Sequence, residues 1–148
     1  MTTLAPIVGE ITLNVSEERA WRVLTEPHYV VRWLGCLNYS GTLGNVFHMQ
    51  QDAAKRVAGD ISGATHCEIL ALKKPNRFVF SWFIPGAPAT EVEIRLASIA
   101  PNETKVVLTH SGWDKFNAAD VRMFWEALQN GWKSWVLPGF KQAAESEG

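Results

Sequence analysis

The spacing of hydrophobic and polar residues predicts a β-strand at the start of the chain, over residues 7–15. Ile7, Ile11 and Leu13 share one parity, while polar residues such as Glu10 occupy the other. Alternation of this kind is typical of a strand with one face buried and the other face in water. The chain is therefore predicted to open with a half-buried strand.

Two short helices are predicted to follow this strand. Ser16 can cap the first helix, whose acidic first turn suits the positive end of the helix dipole. This helix should end near Thr25, because Pro27 disfavours helical geometry at the residue before it. Pro27 can begin the second helix, which should run through residues 33 and 34 and stop at Gly35.

The middle of the chain is predicted to form an antiparallel meander. The run RFVFSWF at 77–83 is the strongest strand signal, since it is dense in residues that favour strands. The predicted strands cover residues 46–50, 66–72, 77–83, 90–99 and 104–111, with turns at the proline-containing segments between them. Residues 51–65 are polar and contain glycine, so a mobile loop or a poorly formed strand is expected there.

Residues 112–140 hold four of the chain's seven tryptophans and predict a loop that starts at Trp113, followed by a long amphipathic helix. Helical spacing places one broad stripe at Val121, Trp125, Leu128, Trp132, Trp135, Val136 and Ala143. Pro138 and Gly139 should kink or loosen the last turns, and residues 145–148 are expected to fray. The aromatic stripe can fill a core, line a ligand cavity or face a partner, and these three alternatives remain open.

Composition and charge narrow the class of protein. A chain of 148 residues suits one domain with one core, and we expect a single domain over 1–148. A formal net charge of −1 without a basic block argues against a nucleic-acid partner. No run approaches the roughly 18 apolar residues of a membrane span, so membrane insertion is not expected.

Cysteine usage and the N-terminal segment indicate the compartment. Cys36 and Cys67 form no paired motif, and the first residues lack a secretory pattern. A cytoplasmic protein with free, buried thiols is expected, and a homodimer is plausible although no feature demands one.

The sequence contains candidate chemical groups but no catalytic signature. The four histidines show no zinc-ligand spacing, and the common phosphate, dinucleotide and hydrolase motifs are missing. His110 shares the parity of Val106 and Leu108, so it is predicted to point inward as a core residue, a polar anchor for a ligand or an acid–base group. We predict no catalytic residue, no metal and no cofactor. Glu91 and Glu93 should lie on a solvated strand face, with Arg95 as a candidate partner for either of them.

Four segments, taken in order, resemble one known family. They are AWRVLTEPHYVVRWLG, RFVFSW, LTHSGW and NGWKSWVLPGFKQAAE. They are similar to the family related to the C-terminal domain of the activator of the heat-shock-protein-90 ATPase, within the START and birch-pollen-allergen-like superfamily. The resemblance spans about residues 7–145. It implies an α+β helix-grip fold: a curved antiparallel sheet wrapped around a long C-terminal helix, with two short helices after the first strand.

The resemblance also implies a cavity between the sheet and the long helix, but it does not name a ligand. The leading hypothesis is a protein that binds a hydrophobic or aromatic small molecule in this cavity. The candidate wall residues are Trp33, Phe47, Met49, Phe80, Trp82, Val92, Ile94, Trp125, Leu128 and Trp132, with His110 as the inward polar group. One alternative is a cyclase-like or hydrolase-like enzyme on the same scaffold, and another is a co-chaperone-like interaction module.

Overall fold

The computed structural model describes residues 4–146 and consists of one antiparallel sheet with helices on its inner side. The strands are β1 (Ile7–Leu13), β2 (Cys36–Leu37), β3 (Val46–Met49), β4 (Thr65–Lys73), β5 (Arg77–Phe83), β6 (Thr90–Ala100) and β7 (Glu103–Ser111). The helices are α1 (Glu17–Thr25), α2 (Pro27–Trp33), α3 (Ala53–Ala58), α4 (Ala118–Gly131) and α5 (Leu137–Glu145), with a 3₁₀ turn at Trp113–Lys115 and a π-helical turn at Trp132–Val136.

The seven strands follow the order β1-β7-β6-β5-β4-β3-β2, and every neighbouring pair is antiparallel. The sheet curls into a half-barrel around the continuous helix formed by α4, the π turn and α5. Two short helices follow the first strand, as predicted. The architecture is therefore the α+β helix-grip fold.

Local signals place the first elements where the sequence predicts them. The Ser16 hydroxyl accepts a hydrogen bond from the Arg19 backbone N–H at 3.2 Å and caps α1. Pro27 occupies the start of α2, where its missing N–H has no helical partner to lose. Gly35 ends this segment with a φ of 68°, a conformation that glycine adopts without steric cost.

Residues 51–65 differ from the expected loop or strand, because they contain the short helix α3. The Asp52 carboxylate caps it by accepting from the Lys55 N–H at 3.1 Å, and Gly59 ends it with a φ of 73°. The helix buries none of its side chains. It therefore has no amphipathic pattern, and its capping residues, Asp52 and Gly59, are the only signal of it in the sequence.

The long C-terminal helix forms as predicted, but one member of its stripe does not face the sheet. Trp132 is buried, whereas Trp135 is 75% exposed. The Leu137 N–H bonds to the Trp132 carbonyl, five residues back, which widens the helix just before Pro138. A proline ring crowds the carbonyl four residues earlier and removes an N–H, so a wide turn at this place has a local cause.

The core lies between the inner face of the sheet and the helices. Its largest fully buried side chains include Phe47, Phe78, Phe80 and Phe140, contributed by β3, β5 and α5. On the outer face of β6, Arg95 pairs with Glu93 at 3.0 Å, one of its two predicted partners, and the same carboxylate also accepts from Arg77 at 2.7 Å. Glu93 thus bridges two arginines on the solvent side of the sheet.

The C-terminal end is more ordered than the predicted frayed tail. Glu145 is the last residue of α5, and its carboxylate accepts from the Asn14 N–H at 2.8 Å and from the Lys141 ammonium at 2.6 Å. Residues 147 and 148, the rest of that predicted tail, lie outside the described residues. Within residues 4–146, no helix has the length and apolar character needed to cross a membrane.

Candidate functional site

A cavity of about 440 Å³ opens between one half of the sheet and the C-terminal helix. Its sheet side carries Met49 on β3 and Trp82 on β5, and its helix side carries Leu128 and Trp132. The complete lining is Met49, Gln51, Gly63, Thr65, Trp82, Ile84, Phe124, Ala127, Leu128, Gly131, Trp132, Trp135 and Val136. Only Gln51 and Thr65 contribute polar side chains other than indole N–H groups, so the wall is overwhelmingly apolar.

The structure separates the predicted wall residues into three groups. Met49, Trp82, Leu128 and Trp132 line the cavity. Four others, Phe47, Phe80, Val92 and Ile94, are fully buried in the core behind it.

The third group lies away from the large cavity. Trp125 is half-buried, and its Nε1 donates to the Ala5 carbonyl at 2.9 Å. Trp33 donates its Nε1 to the Val23 carbonyl at 2.8 Å and borders a smaller, adjoining cavity. The predicted wall residues are spread over the cavity, the core and the surface because the sequence pattern identifies which side chains point inward. It does not identify which inward-facing side chains border empty space.

Sequence reasoning missed more than half of the lining, including Ile84, Phe124, Ala127, Gly131 and Trp135. Two of these residues are small and lie four positions apart on the helix, between larger apolar neighbours. A Cβ added to Gly131 would meet no heavy atom within 4 Å, so this position borders open space. Small residues inside an aromatic helical stripe are the one signal that could have indicated a groove.

His110 is fully buried behind the cavity and has partners at both ring nitrogens. Trp132 Nε1 lies 3.0 Å from His110 Nδ1, and an indole nitrogen can only donate. Nδ1 is therefore unprotonated, and the ring proton is on Nε2, which donates to Thr90 Oγ1 at 2.7 Å. The Thr90 hydroxyl in turn donates to the Trp82 carbonyl at 2.8 Å. This chain of three bonds ties β5, β6 and β7 to the C-terminal helix.

Burial lowers the pKa of His110 from its ordinary value of 6.5 to about 3, because desolvation disfavours the charged imidazolium. The neutral ring has already used its one donor and its one ring acceptor within the protein. His110 therefore orients Trp132, and its expected inward direction is confirmed. Trp113 is buried, and its Nε1 donates to the His110 carbonyl at 3.0 Å.

Trp82 is the exception in this well-bonded cluster. Its Nε1 is buried and has no hydrogen-bond partner within the described residues. A buried donor without a partner costs about 1–3 kcal/mol. Trp82 thus lines the cavity with its ring, while its N–H is buried inside the wall.

The remaining histidines and the cysteines lie elsewhere. His48 and His66 face each other across β3 and β4 with their ring centroids 4.6 Å apart. The part of the chain that the structure describes has no group of three or more side chains suited to holding a metal. Cys36 and Cys67 are free and buried, and burial raises the pKa of the Cys36 thiol to about 12.

Solved structures with the same fold come from several sources. Protein MLL2253 from Mesorhizobium loti aligns with a TM-score of 0.74 at 22% identity, over 94% of this chain and 96% of that one. An HSP90 activator from Plasmodium falciparum aligns with a TM-score of 0.69 at 22% identity, over 92% and 94%. DynU16, from the dynemicin biosynthetic locus, aligns with a TM-score of 0.72 at 17% identity, over 95% of this chain and 47% of that one. At these identities the likeness shows the fold alone.

No curated protein matches the sequence. A family model does match it, the one described as Activator of Hsp90 ATPase homolog 1-like protein, over residues 14–145. This range covers the short helices α1, α2 and α3, six of the seven strands and the whole C-terminal helix. The chain therefore belongs to the family of Activator of Hsp90 ATPase homolog 1-like proteins.

Proposed function

We propose that the protein binds a hydrophobic or aromatic small molecule in the cavity between the sheet and the C-terminal helix. The observation that carries this proposal is the cavity itself, open at about 440 Å³ and walled by Met49, Trp82, Leu128 and Trp132. Cavities that hold small molecules commonly span about 300–1,000 Å³ and have mostly apolar walls. The fold fits this function as well as it fits a co-chaperone role.

Affinity would come mainly from the apolar surface that the ligand and the wall remove from water. Such burial contributes about 25 cal/mol per Å², before the costs of association are subtracted. Thr65 and Gln51 offer polar contacts in the cavity lining.

The cavity wall supports binding in preference to acid–base catalysis. An enzyme of the cyclase or hydrolase type would be expected to place a titratable group where it can reach the substrate. The lining within the described residues contains no Asp, Glu, His, Cys, Lys, Arg or Tyr. His110 lies behind Trp132, and its ring is already bonded on both sides.

A co-chaperone-like interaction is the second candidate function. The observation that favours it is the match to the family model described as Activator of Hsp90 ATPase homolog 1-like protein. Met123 on α4, which is 85% exposed, is a candidate contact residue. The Plasmodium falciparum relative with the same fold is an HSP90 activator. Purified Hsp90 should then hydrolyse ATP faster when this protein is added, and Met123→Lys should reduce the stimulation. An unchanged ATPase rate would remove this candidate.

The leading proposal is tested by titrating N-phenyl-1-naphthylamine, a neutral apolar dye whose fluorescence rises in apolar surroundings. Ala127 is an exposed helix residue that lines the cavity, so Ala127→Trp should fill the cavity without disturbing the core. Ala119→Trp places the same ring on the same helix outside the lining and serves as the control. We expect saturable binding to the wild type and to Ala119→Trp, with binding lost in Ala127→Trp. Equal binding by all three proteins, or by none, would overturn the proposal.

A further inference from the structure

We propose that the ligand is an amphipathic anion, with an apolar body in the large cavity and a carboxylate or phosphate group held by Arg32 and Arg56. This inference rests on the proposed function and deepens it, because it assigns the head group as well as the body of the ligand. It follows from a second cavity, of about 190 Å³, that adjoins the first.

The two cavities share three lining residues, Gln51, Trp135 and Val136. The second cavity is otherwise lined by Arg32, Trp33, Leu34, Gly35 and Arg56. An elongated molecule can therefore extend from the apolar cavity past Trp135 into a compartment with two guanidinium groups. Trp135, at 75% exposure, lies between the compartments and would be covered by such a molecule.

Charge differs sharply between the two compartments. The large cavity has no charged side chain in its lining, and the smaller one has two arginines and no acidic residue. Neither Arg32 nor Arg56 forms an ion pair with a carboxylate within residues 4–146. By contrast, Arg77 and Arg95, on the outer face of the sheet, both bond to Glu93.

Arg56 is held toward this compartment by its surroundings. It lies on α3 and is half-buried, and its Nη1 donates to the Gln50 carbonyl at 2.6 Å. A Cβ on Gly35 would come within 3.3 Å of the same Nη1, so the glycine leaves room for the guanidinium. A guanidinium carries five N–H donors, and a fixed one with free donors suits a planar carboxylate or a phosphate.

Arg32 supplies the second charge from a different element. It lies in the last turn of α2 and is exposed. Arginines from α2 and α3 thus converge on one small compartment, although they are far apart in the sequence. An isolated surface arginine would be explained by solvation alone, whereas two arginines beside an open apolar cavity form a site with an apolar part and a cationic part.

The test compares dodecyl compounds that share one apolar chain and differ in the head group. Dodecanoate, dodecyl phosphate, dodecanol and dodecylammonium are each used, below their micelle concentrations, to displace N-phenyl-1-naphthylamine from the protein. We expect the anions to displace the dye at roughly tenfold lower concentration than dodecanol, as for one charge-assisted contact of about 1.4 kcal/mol. Dodecylammonium should be the weakest competitor, and the better anion identifies the head group.

Substitutions of single arginines then test which side chains cause the preference for anions. Arg32→Gln and Arg56→Gln should each weaken the anions and leave dodecanol and the dye unchanged, and the double variant should remove the preference for anions. Arg95→Gln, on the outer face of β6, is the matched control and should change nothing.

Failure of this inference is distinguishable from failure of the proposed function. If the dye binds but the four compounds compete equally, or if the arginine variants keep the full anion preference, the assignment of an anionic head group is wrong while the cavity proposal stands. If the dye does not bind to the wild type, both proposals fail.

Discussion

Trp132 and Trp135 lie three residues apart in the same helix, yet they have opposite surroundings. Trp132 is buried and donates to His110 at 3.0 Å, and Trp135 is mostly exposed at the junction of the two cavities. Both line the large cavity, but Trp132 also anchors the helix to the sheet. Mutation of Trp132 should therefore cost stability as well as binding, whereas mutation of Trp135 should cost binding alone.

Trp132→Ala should strongly destabilise the fold. It removes a large core side chain, which typically costs about 3–5 kcal/mol, and leaves His110 Nδ1 without a donor. The free energy of unfolding from urea denaturation measures the loss. A loss below about 1 kcal/mol would mean that Trp132 does not pack as the structure indicates.

Trp135→Ala should leave the stability nearly unchanged and weaken binding. An exposed side chain without special contacts typically changes the free energy of unfolding by about 0.5 kcal/mol or less. Affinity for N-phenyl-1-naphthylamine should fall roughly tenfold, since about 1.4 kcal/mol of apolar contact is lost. Met123→Ala, at another exposed apolar position of the C-terminal helix that lies outside the lining, should leave the affinity unaltered. Unimpaired dye binding by Trp135→Ala would show that Trp135 does not contact the ligand.

His110 should make stability depend on pH. Its folded pKa of about 3 lies below the ordinary 6.5, so the unfolded chain binds the proton more readily between these values. The contribution of neutral His110 to the free energy of unfolding is therefore fully present above about pH 6.5. It declines as the pH falls toward 3, by up to about 1.4 kcal/mol per pH unit. His110→Gln lacks this group, and its unfolding free energy should fall less steeply with acidification than that of the wild type. Parallel curves for the two proteins would contradict the buried, neutral state of the ring.

At the residue scale, the sequence predicts the direction in which a side chain points better than it predicts the residues that the side chain contacts. The parity of β7 shows that His110 points inward, because side chains alternate along a strand. Its partners are Thr90 on β6 and Trp132 on the last helix, which the sheet register and the helix position bring together. No local sequence pattern determines these distances. The tautomer of His110 and its lowered pKa can therefore be read only from the folded structure.

At the element scale, periodic segments are predictable and short or irregular ones are not. The strand at Arg77–Phe83 and helix α1 have the predicted bounds, and α2 begins at Pro27 as predicted and ends at Trp33, one residue early. Helix α3 is not predicted because it buries no side chain and so has no hydrophobic periodicity. The π turn is not predicted because helical spacing assumes a constant number of residues per turn. These two departures shape the site, since α3 contributes Arg56 and the π turn contributes Trp135.

The contact between β1 and α5 gives an element-scale prediction. A Cβ on Gly9 would lie 2.8 Å from Leu137 Cδ1, so the strand and the helix approach as closely as they do because residue 9 has no side chain. Gly9→Val should lower the free energy of unfolding by about 1–3 kcal/mol through overpacking. Thr12→Val, at an exposed position of the same strand, should have little effect. Equal stability of the two variants would contradict this close packing.

At the scale of the whole molecule, the cavity arises because a curled sheet and a helix leave a gap that their side chains fill on one side only. Phe47, Phe80, Val92 and Ile94 close the gap behind the cavity, while Ala127 and Gly131 are too small to close it at the mouth. The sequence predicts the fold because patterns and resemblance agree along most of the chain. It predicts the aromatic lining only partly, because a filled core and an open cavity use the same residue types.

The most direct measurement follows the methyl groups of the cavity by NMR while N-phenyl-1-naphthylamine is added. Met49, Ile84, Leu128 and Val136 line the cavity, and Leu43 and Ile99 are exposed apolar residues outside its lining. We expect saturable shifts at the four lining residues, with one dissociation constant, and unchanged signals at Leu43 and Ile99. Shifts that leave the four lining residues untouched, or that affect all six residues alike without saturation, would contradict a ligand site between the sheet and the C-terminal helix.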